Sequence, residues 1–199
     1  MDALFEQLQA RLEQRPGRAL NQRGVSLRES AVLVPMFIRQ GAPHILLTKR
    51  PETLRSHPGQ IAFPGGARDP EDATPLHTAL RETHEELGVS PGVVQVLGML
   101  DEIPTTSQFR IVPFVGAIPH DVRYVPNVAE IDLVLEVPLL HLLDPARLRT
   151  ERRTWMGHEI DTYFYDVGEH VIWGATAHIL HNLLQLAGDL PALQRLSSP

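Results

Sequence analysis

The sequence predicts an α/β domain. Apolar, β-branched runs lie on both sides of one central, strongly charged helix, and a second, apolar helix follows near the C-terminus. The 199 residues carry 43% hydrophobic content, enough for one core and a small appendage but not for two full domains. One domain over 1–199 is therefore expected, with an N-terminal helical extension over about residues 1–20.

The elements follow in order. Leu4, Phe5, Leu8 and Leu12 recur at helical spacing and read as a short amphipathic helix that packs on the core, after which Arg15 to Asn21 reads as a linker. Ala31 to Ile38 and His44 to Thr48 are apolar and β-branched, and the turn Gln40-Gly41-Ala42-Pro43 joins them as strands. Thr74 followed by Pro75 is an N-cap and first helical position, and Gly88 stands where a left-handed C-terminal cap belongs, so a helix is predicted over 75–87. Val93 to Leu100 and Ile111 to Ile118 read as strands, with a polar loop from Pro104 to Phe109 between them. Ile131 to Val137 reads as a buried strand and Pro138 to Leu143 as a short helix. Thr162 to Val167 is another strand after a hairpin, and Trp173 to Ala187 the last helix, capped by Gly188. His178 and His181, one turn apart on that helix, have no zinc-type Glu motif around them and read as ordinary packing or surface histidines rather than metal ligands. There is no internal repeat and no low-complexity tract.

Composition excludes several classes of function. A net charge of −6 argues against a nucleic-acid surface, which needs a basic patch, so any anion site must be locally cationic. No apolar run reaches bilayer length, and the start Met-Asp-Ala-Leu-Phe-Glu lacks the basic and apolar regions of a signal peptide. Without cysteine there is no disulfide framework, and a cytoplasmic location is the simplest expectation.

The central helix carries the chemistry. Arg81 to Val89 reads Arg-Glu-Thr-His-Glu-Glu-Leu-Gly-Val, which puts Glu82, Glu85 and Glu86 at i, i+3 and i+4 on one face. Carboxylates so close repel one another, and a cation between them relieves that repulsion. Carboxylate oxygens suit Mg2+ or Mn2+, and magnesium normally combines one or two protein carboxylates with substrate phosphate oxygens, which points to a phosphate-bearing substrate. A solvated acidic face with basic partners is the plain alternative. Upstream, Phe63-Pro64-Gly65-Gly66 forms a tight loop whose glycines let the backbone approach a ligand, followed by the polar stretch Arg68, Asp69, Pro70, Glu71, Asp72.

This constellation resembles the Nudix hydrolase superfamily. Gly66, Asp72, Arg81, Glu82, Glu85, Glu86, Gly88 and Val89 match its signature, with Thr83 in place of an aliphatic residue and one extra residue between Gly66 and Arg81. That insertion leaves Asp72 and Glu71 as alternatives for the acidic position. A second segment, Leu46-Leu47-Thr48-Lys49-Arg50, then Arg55, Gly59 and Phe63-Pro64-Gly65-Gly66, resembles the extra motif that precedes the Nudix box in coenzyme A diphosphatases, departing only at Pro51. Together the two motifs cover about residues 46–89. The resemblance implies a mixed-sheet α/β/α sandwich. It also implies metal-dependent hydrolysis of coenzyme A to 4′-phosphopantetheine and adenosine 3′,5′-bisphosphate. Another nucleoside diphosphate derivative, such as ADP-ribose or a dinucleotide, is the alternative substrate. A non-catalytic nucleotide sensor and a plain interaction protein are further readings.

The residues support the same assignment. Lys49, Arg50, Arg55, His57 and Gln60 put cationic and donor groups just before the glycine loop, where the 3′-phosphate of coenzyme A needs partners; the same Lys49 and Arg50 would equally end a strand in solvent. Glu82, Glu85 and Glu86 are expected to hold the metal, with help from the carbonyl of Gly66. Arg81 is expected to pair with one of these glutamates and orient it. Glu82 and Glu85 are the in-motif candidates for the base that deprotonates water, and in relatives a distal loop supplies it, for which Glu130 in Asn127-Val128-Ala129-Glu130 is the candidate. Oligomeric state has no sequence signal.

Overall fold

The computed structural model describes residues 2–20, 26–54, 56–155 and 157–197, without the side chains of 155, 158 and 197. Helix α1 (Ala3–Gln14) is capped by the Asp2 side chain, which accepts from the Leu4 N–H. Strands β1 (Arg28–Arg39) and β2 (Ala42–Lys49) form a hairpin that reverses at Gln40 and Gly41, both with positive φ, so Ala42 and Pro43 already lie in the second strand. Two short strands, β3 (Ile61–Ala62) and β4 (Gly65–Ala67), precede helix α2 (Pro75–Leu87). Then come β5 (Gln95–Met99), β6 (Ile103–Pro104), β7 (Phe109–Ala117) and β8 (Leu133–Pro138), with the short helix α3 (Leu139–Leu143) following at once. Strands β9 (Leu148–Trp155), β10 (His158–Val167) and β11 (His170–Ile172) lead to helices α4 (Gly174–Ala187) and α5 (Pro191–Ser197).

The first eight strands make one mixed sheet. Its path is β3-β2-β1-β7-β5, with β4 on β1, β6 on β7 and β8 on β2. β1 and β7 run parallel, and the other pairs are antiparallel. Alternation along β1 divides the core: Ala31, Leu33 and Phe37 face the α2 layer with Ala79, Leu87 and Val112, while Val34 and Met36 face α1, α4 and α5 with Leu4, Leu8, Leu183 and Leu193. The chain is thus an α/β/α sandwich, and α1 is part of its larger core. Arg15 fixes the end of α1 by two 2.8 Å hydrogen bonds to Asp101. The linker expected over Arg15 to Asn21 is described as far as Leu20, whose N–H donates to Glu102 at 2.7 Å.

A second, three-stranded antiparallel sheet β11-β10-β9 packs on α4 through β10. The sequence reading expected only one strand there, over 162–167. β9 escaped it because Arg149-Thr150-Glu151-Arg152-Arg153-Thr154 is polar throughout; Arg149 and Arg153 stack on the Phe164 ring at 4.1 and 5.3 Å from its centroid, and Glu151 pairs with both arginines. His178 and His181 pack on the same sheet. His181 stacks on Tyr163 at 3.7 Å and its Nδ1 bonds the Tyr165 hydroxyl at 2.9 Å, while His178 meets Tyr163 edge-on. Among the described residues no helix is long and apolar enough to cross a membrane.

Candidate functional site

The site forms where α2 lies across β1 and β4. Thr74 caps the helix by accepting from the His77 N–H at 3.2 Å, and Gly88 ends it in the left-handed region at φ 71°. Between these caps the glutamates do not share one environment. Glu86 points under the helix and is only 4% exposed, Glu82 is half-buried, and the Glu85 side chain is 53% exposed.

The paired glycines make that burial possible. A Cβ on Gly65 would come within 2.3 Å of the Ala31 carbonyl oxygen, and one on Gly66 within 2.4 Å of the Glu82 carboxylate. At Gly65 the clash is with the backbone of β1, so only glycine fits there; at Gly66 it is with the end of the Glu82 side chain. Gly65 N–H then donates to Glu86 Oε2 at 3.3 Å.

Arg81 organises the exposed side of this cluster. Its Nε and Nη2 clasp Asp72 at 3.0 and 2.8 Å, and its Nη1 donates to Glu82 Oε1 at 3.0 Å and to Glu85 Oε2 at 3.1 Å. Asp72 is 2% exposed and also accepts from the Thr78 hydroxyl and the Asp69 N–H. The Arg81 guanidinium, with those two donors, holds the Asp72 carboxyl well below the usual range. The acid that pairs with Arg81 is thus Asp72; Glu71 is exposed. The sequence predicts Arg81 only as a partner of the glutamates; its anchorage on Asp72 is a tertiary contact.

Glu86 has the opposite environment. Burial pushes its carboxyl up to about 8, nearby Glu82 and Glu130 push the same way, and the Gly65 N–H and the Arg50 charge offset only part. Burial is also the first cause that raises Glu82, ahead of the opposing effect of Arg81. The pocket therefore holds more carboxylate than its donors neutralise. Such a donor set fits a hard divalent cation. Among the described residues no three His, Asp or Glu side chains already stand gathered as a metal cage. Glu82 and Glu86, beside the backbone at Gly66, form an open all-oxygen set of the kind that leaves room for water and phosphate oxygens.

The basic segment lies alongside. β3 pairs with β2 at Thr48–Ala62 and Lys49–Ile61, and the Arg50 N–H donates to the Gln60 carbonyl at 3.0 Å, so the segment closes on itself and runs straight into the glycine loop. Arg50 is half-buried, with its Nε unpartnered, and its charge reaches Glu86. Lys49 is engaged by Glu52 at 3.4 Å and Asp132 at 3.9 Å. His57 is exposed, with φ 54°, and the Gln60 amide lies near Gly174 at the start of α4. Arg55 lies outside the described residues.

The loop before β8 completes the cluster. Val125 and Asn127 donate their N–H groups to the carbonyls of Leu87 and Glu86 at 2.8 and 2.9 Å, using acceptors that the end of α2 leaves open. That docking carries Glu130 close enough for its charge to act on both Glu82 and Glu86.

Comparison with known proteins places this geometry in a wider group. Residues 27–167 match the NUDIX domain. A protein of Enterobacter sp. (strain 638) named "Uncharacterized Nudix hydrolase NudL" is 40% identical over 167 residues, covering 82% of this chain and 85% of that protein. The Escherichia coli (strain K12) protein of the same name is 37% identical over 180 residues, covering 86% and 89%. Among solved structures, a MutT/nudix family protein from Enterococcus faecalis superposes over 99% of this chain and 75% of its own with a TM-score of 0.56 at 14% identity, a likeness of fold alone.

Proposed function

This chain belongs to the Nudix family and is a hydrolase of pyrophosphate bonds in nucleoside diphosphate derivatives; on that premise we propose that its substrate is coenzyme A or a derivative, cut to 4′-phosphopantetheine and adenosine 3′,5′-bisphosphate. The observation that carries the proposal is the junction of the two motifs. The basic segment that leaves β2 at Lys49, closed by the Arg50 N–H on the Gln60 carbonyl, leads into the Gly65-Gly66 loop beside Glu82 and Glu86, and Arg50 acts on Glu86, so a substrate whose diphosphate meets the glutamates would set a further phosphate near cationic groups. Coenzyme A carries that further phosphate at its 3′ position.

In this reading Glu82 and Glu86 would hold Mg2+ or Mn2+ with the Gly66 carbonyl, and Glu85, bonded to Arg81, would be the further carboxylate of the set. A cation held there would supply neutralisation of charge on the phosphoryl group and easier deprotonation of the attacking water. Arg81, itself anchored by Asp72, holds Glu82 in orientation. Glu130 accepts the proton of the attacking water, with Glu82 and Glu85 as the in-motif alternatives. Arg50, Arg55, His57, Gln60 and Lys49 supply the grip on substrate phosphates. Of these, Arg50 has a buried, unpartnered Nε and its charge acts on Glu86, whereas Lys49 must give up Glu52 or Asp132 to take part.

Hydrolysis of coenzyme A and of its analogue lacking the 3′-phosphate, compared for wild type and Arg50→Ala, tests the proposal. A preference for the phosphorylated substrate that Arg50→Ala abolishes supports it. Equal rates on both substrates, or faster hydrolysis of ADP-ribose, would reject coenzyme A as the preferred substrate.

A further inference from the structure

The loop between β7 and β8 brings Glu130 to the acidic cluster from outside both sequence motifs. Its attachment is specific. The Asn127 N–H is fixed on the Glu86 carbonyl at 2.9 Å, the Asn127 carbonyl takes the N–H groups of Glu130 and Ile131 at 2.9 and 2.8 Å, and buried Ile131 anchors the far end. The Asn127 side chain is used at both ends: Oδ1 accepts from the Ala129 N–H at 3.2 Å, and Nδ2 donates to Glu130 Oε1 at 2.9 Å. Glu130 thus hangs from a chain of bonds that begins on the same helical turn as Glu86.

We propose that Asn127 is a positioning residue for the hydrolysis: clamped to the backbone of Glu86, it aims the Glu130 carboxylate at the Glu82–Glu86 pair through its amide. The proposal rests on the reading of Glu130 as the acceptor of the water's proton. A free glutamate on a loop samples several rotamers, and only those directed into the cluster accept that proton. The Asn127 amide leaves one Glu130 oxygen bonded and the other available. Removal of such a supporting partner typically costs about 10- to 100-fold in activity.

A double-mutant cycle between Asn127 and Glu130 tests this on the full chain. The steady-state assay uses Mg2+ and coenzyme A, or ADP-ribose if coenzyme A is not hydrolysed. Asn127→Ala removes the whole amide; Asn127→Asp keeps the acceptor for Ala129 and replaces the donor to Glu130 by a repelling carboxylate. Both are expected to lower kcat by about tenfold or more with KM within about twofold, while the Glu86 backbone clamp and the melting temperature persist. Glu130→Gln is expected to lower kcat by about 100-fold or more, and Asn127→Ala in that background to cost less than about twofold further. Losses that multiply in full would overturn the proposal, as would Asn127 variants of normal kcat beside a crippled Glu130→Gln. If Glu130→Gln itself keeps normal kcat, the reading of Glu130 fails, and the positioning role falls with it.

Discussion

Glu86→Gln should stabilise the metal-free protein while removing its activity. The buried carboxyl rises from the ordinary value of 4.5 to about 8, with burial as the first cause and Glu82 and Glu130 adding to it. At about 1.4 kcal/mol per pH unit, an ionisable group so shifted costs at most about 4 kcal/mol near pH 7.5, and local relaxation and water entry reduce that to about 2 kcal/mol. Glutamine keeps the shape and an acceptor for the Gly65 N–H, and so releases that cost, equivalent to a rise of about 4–8 °C in melting temperature for a chain of this size. The pH dependence has a definite sign. Because the folded pKa is raised, wild type bears no penalty below pH 4.5 and progressively more as pH rises through about 8, so the gap between the two proteins opens across that window. Thermal melts in a chelator from pH 4.5 to 8.5, repeated with Mg2+, are the assay. Mg2+ should raise wild type far more than the variant. A variant less stable than wild type at pH 7.5 in the chelator, or a gap independent of pH, would refute the reasoning.

Asp72→Asn, which strips Arg81 of its buried partner, should cost about 3 kcal/mol in denaturant unfolding, whereas Glu71→Gln at the exposed neighbour should leave stability unchanged. Gly66→Ala should cut kcat at least tenfold with little change in melting temperature, because the added Cβ meets the mobile end of Glu82 and displaces the carboxylate without disturbing the core. Burial lowers the pKa of His178 and His181, so the stability they contribute is present above the unfolded value of about 6.5 and lost as pH falls through their folded values. Because the Glu86 penalty is relieved over the same range, the readout is a difference: relative to wild type, His178→Leu should gain melting temperature as pH falls from 7.5 to 5, and a difference independent of pH would contradict this.

How far the sequence was legible follows from which interactions are local. Helix α2 could be bounded to the residue because its stop signals, Thr74, Pro75 and Gly88, act within one turn. β1 and β2 are legible over their apolar centres, Ala31 to Ile38 and His44 to Thr48, but not at polar Arg28 to Ser30 or at Ala42 and Pro43, which look like turn residues. β9 is not legible, since its strand state depends on pairing with β10 and on Phe164 beneath its arginines. β3 and β4 are too short to show a period. At the site, helical spacing put three glutamates on one stripe but gave them equal standing. What separates exposed Glu85 from buried Glu86 is the approach of the glycine loop, a tertiary fact. Likewise the choice between Glu71 and Asp72 turns on Thr78 and Arg81 closing over one of them. Asn127 had no signal at all, because its role arises from a loop docking on the end of a distant helix.

The most direct test is incubation of the purified chain with coenzyme A, Mg2+ and water labelled with heavy oxygen, followed by mass spectrometry of the products. Formation of 4′-phosphopantetheine and adenosine 3′,5′-bisphosphate, with one labelled oxygen on one of them and none formed by Glu86→Gln, is the expected result. Intact coenzyme A under conditions where ADP-ribose or a dinucleotide is cleaved would contradict the assignment.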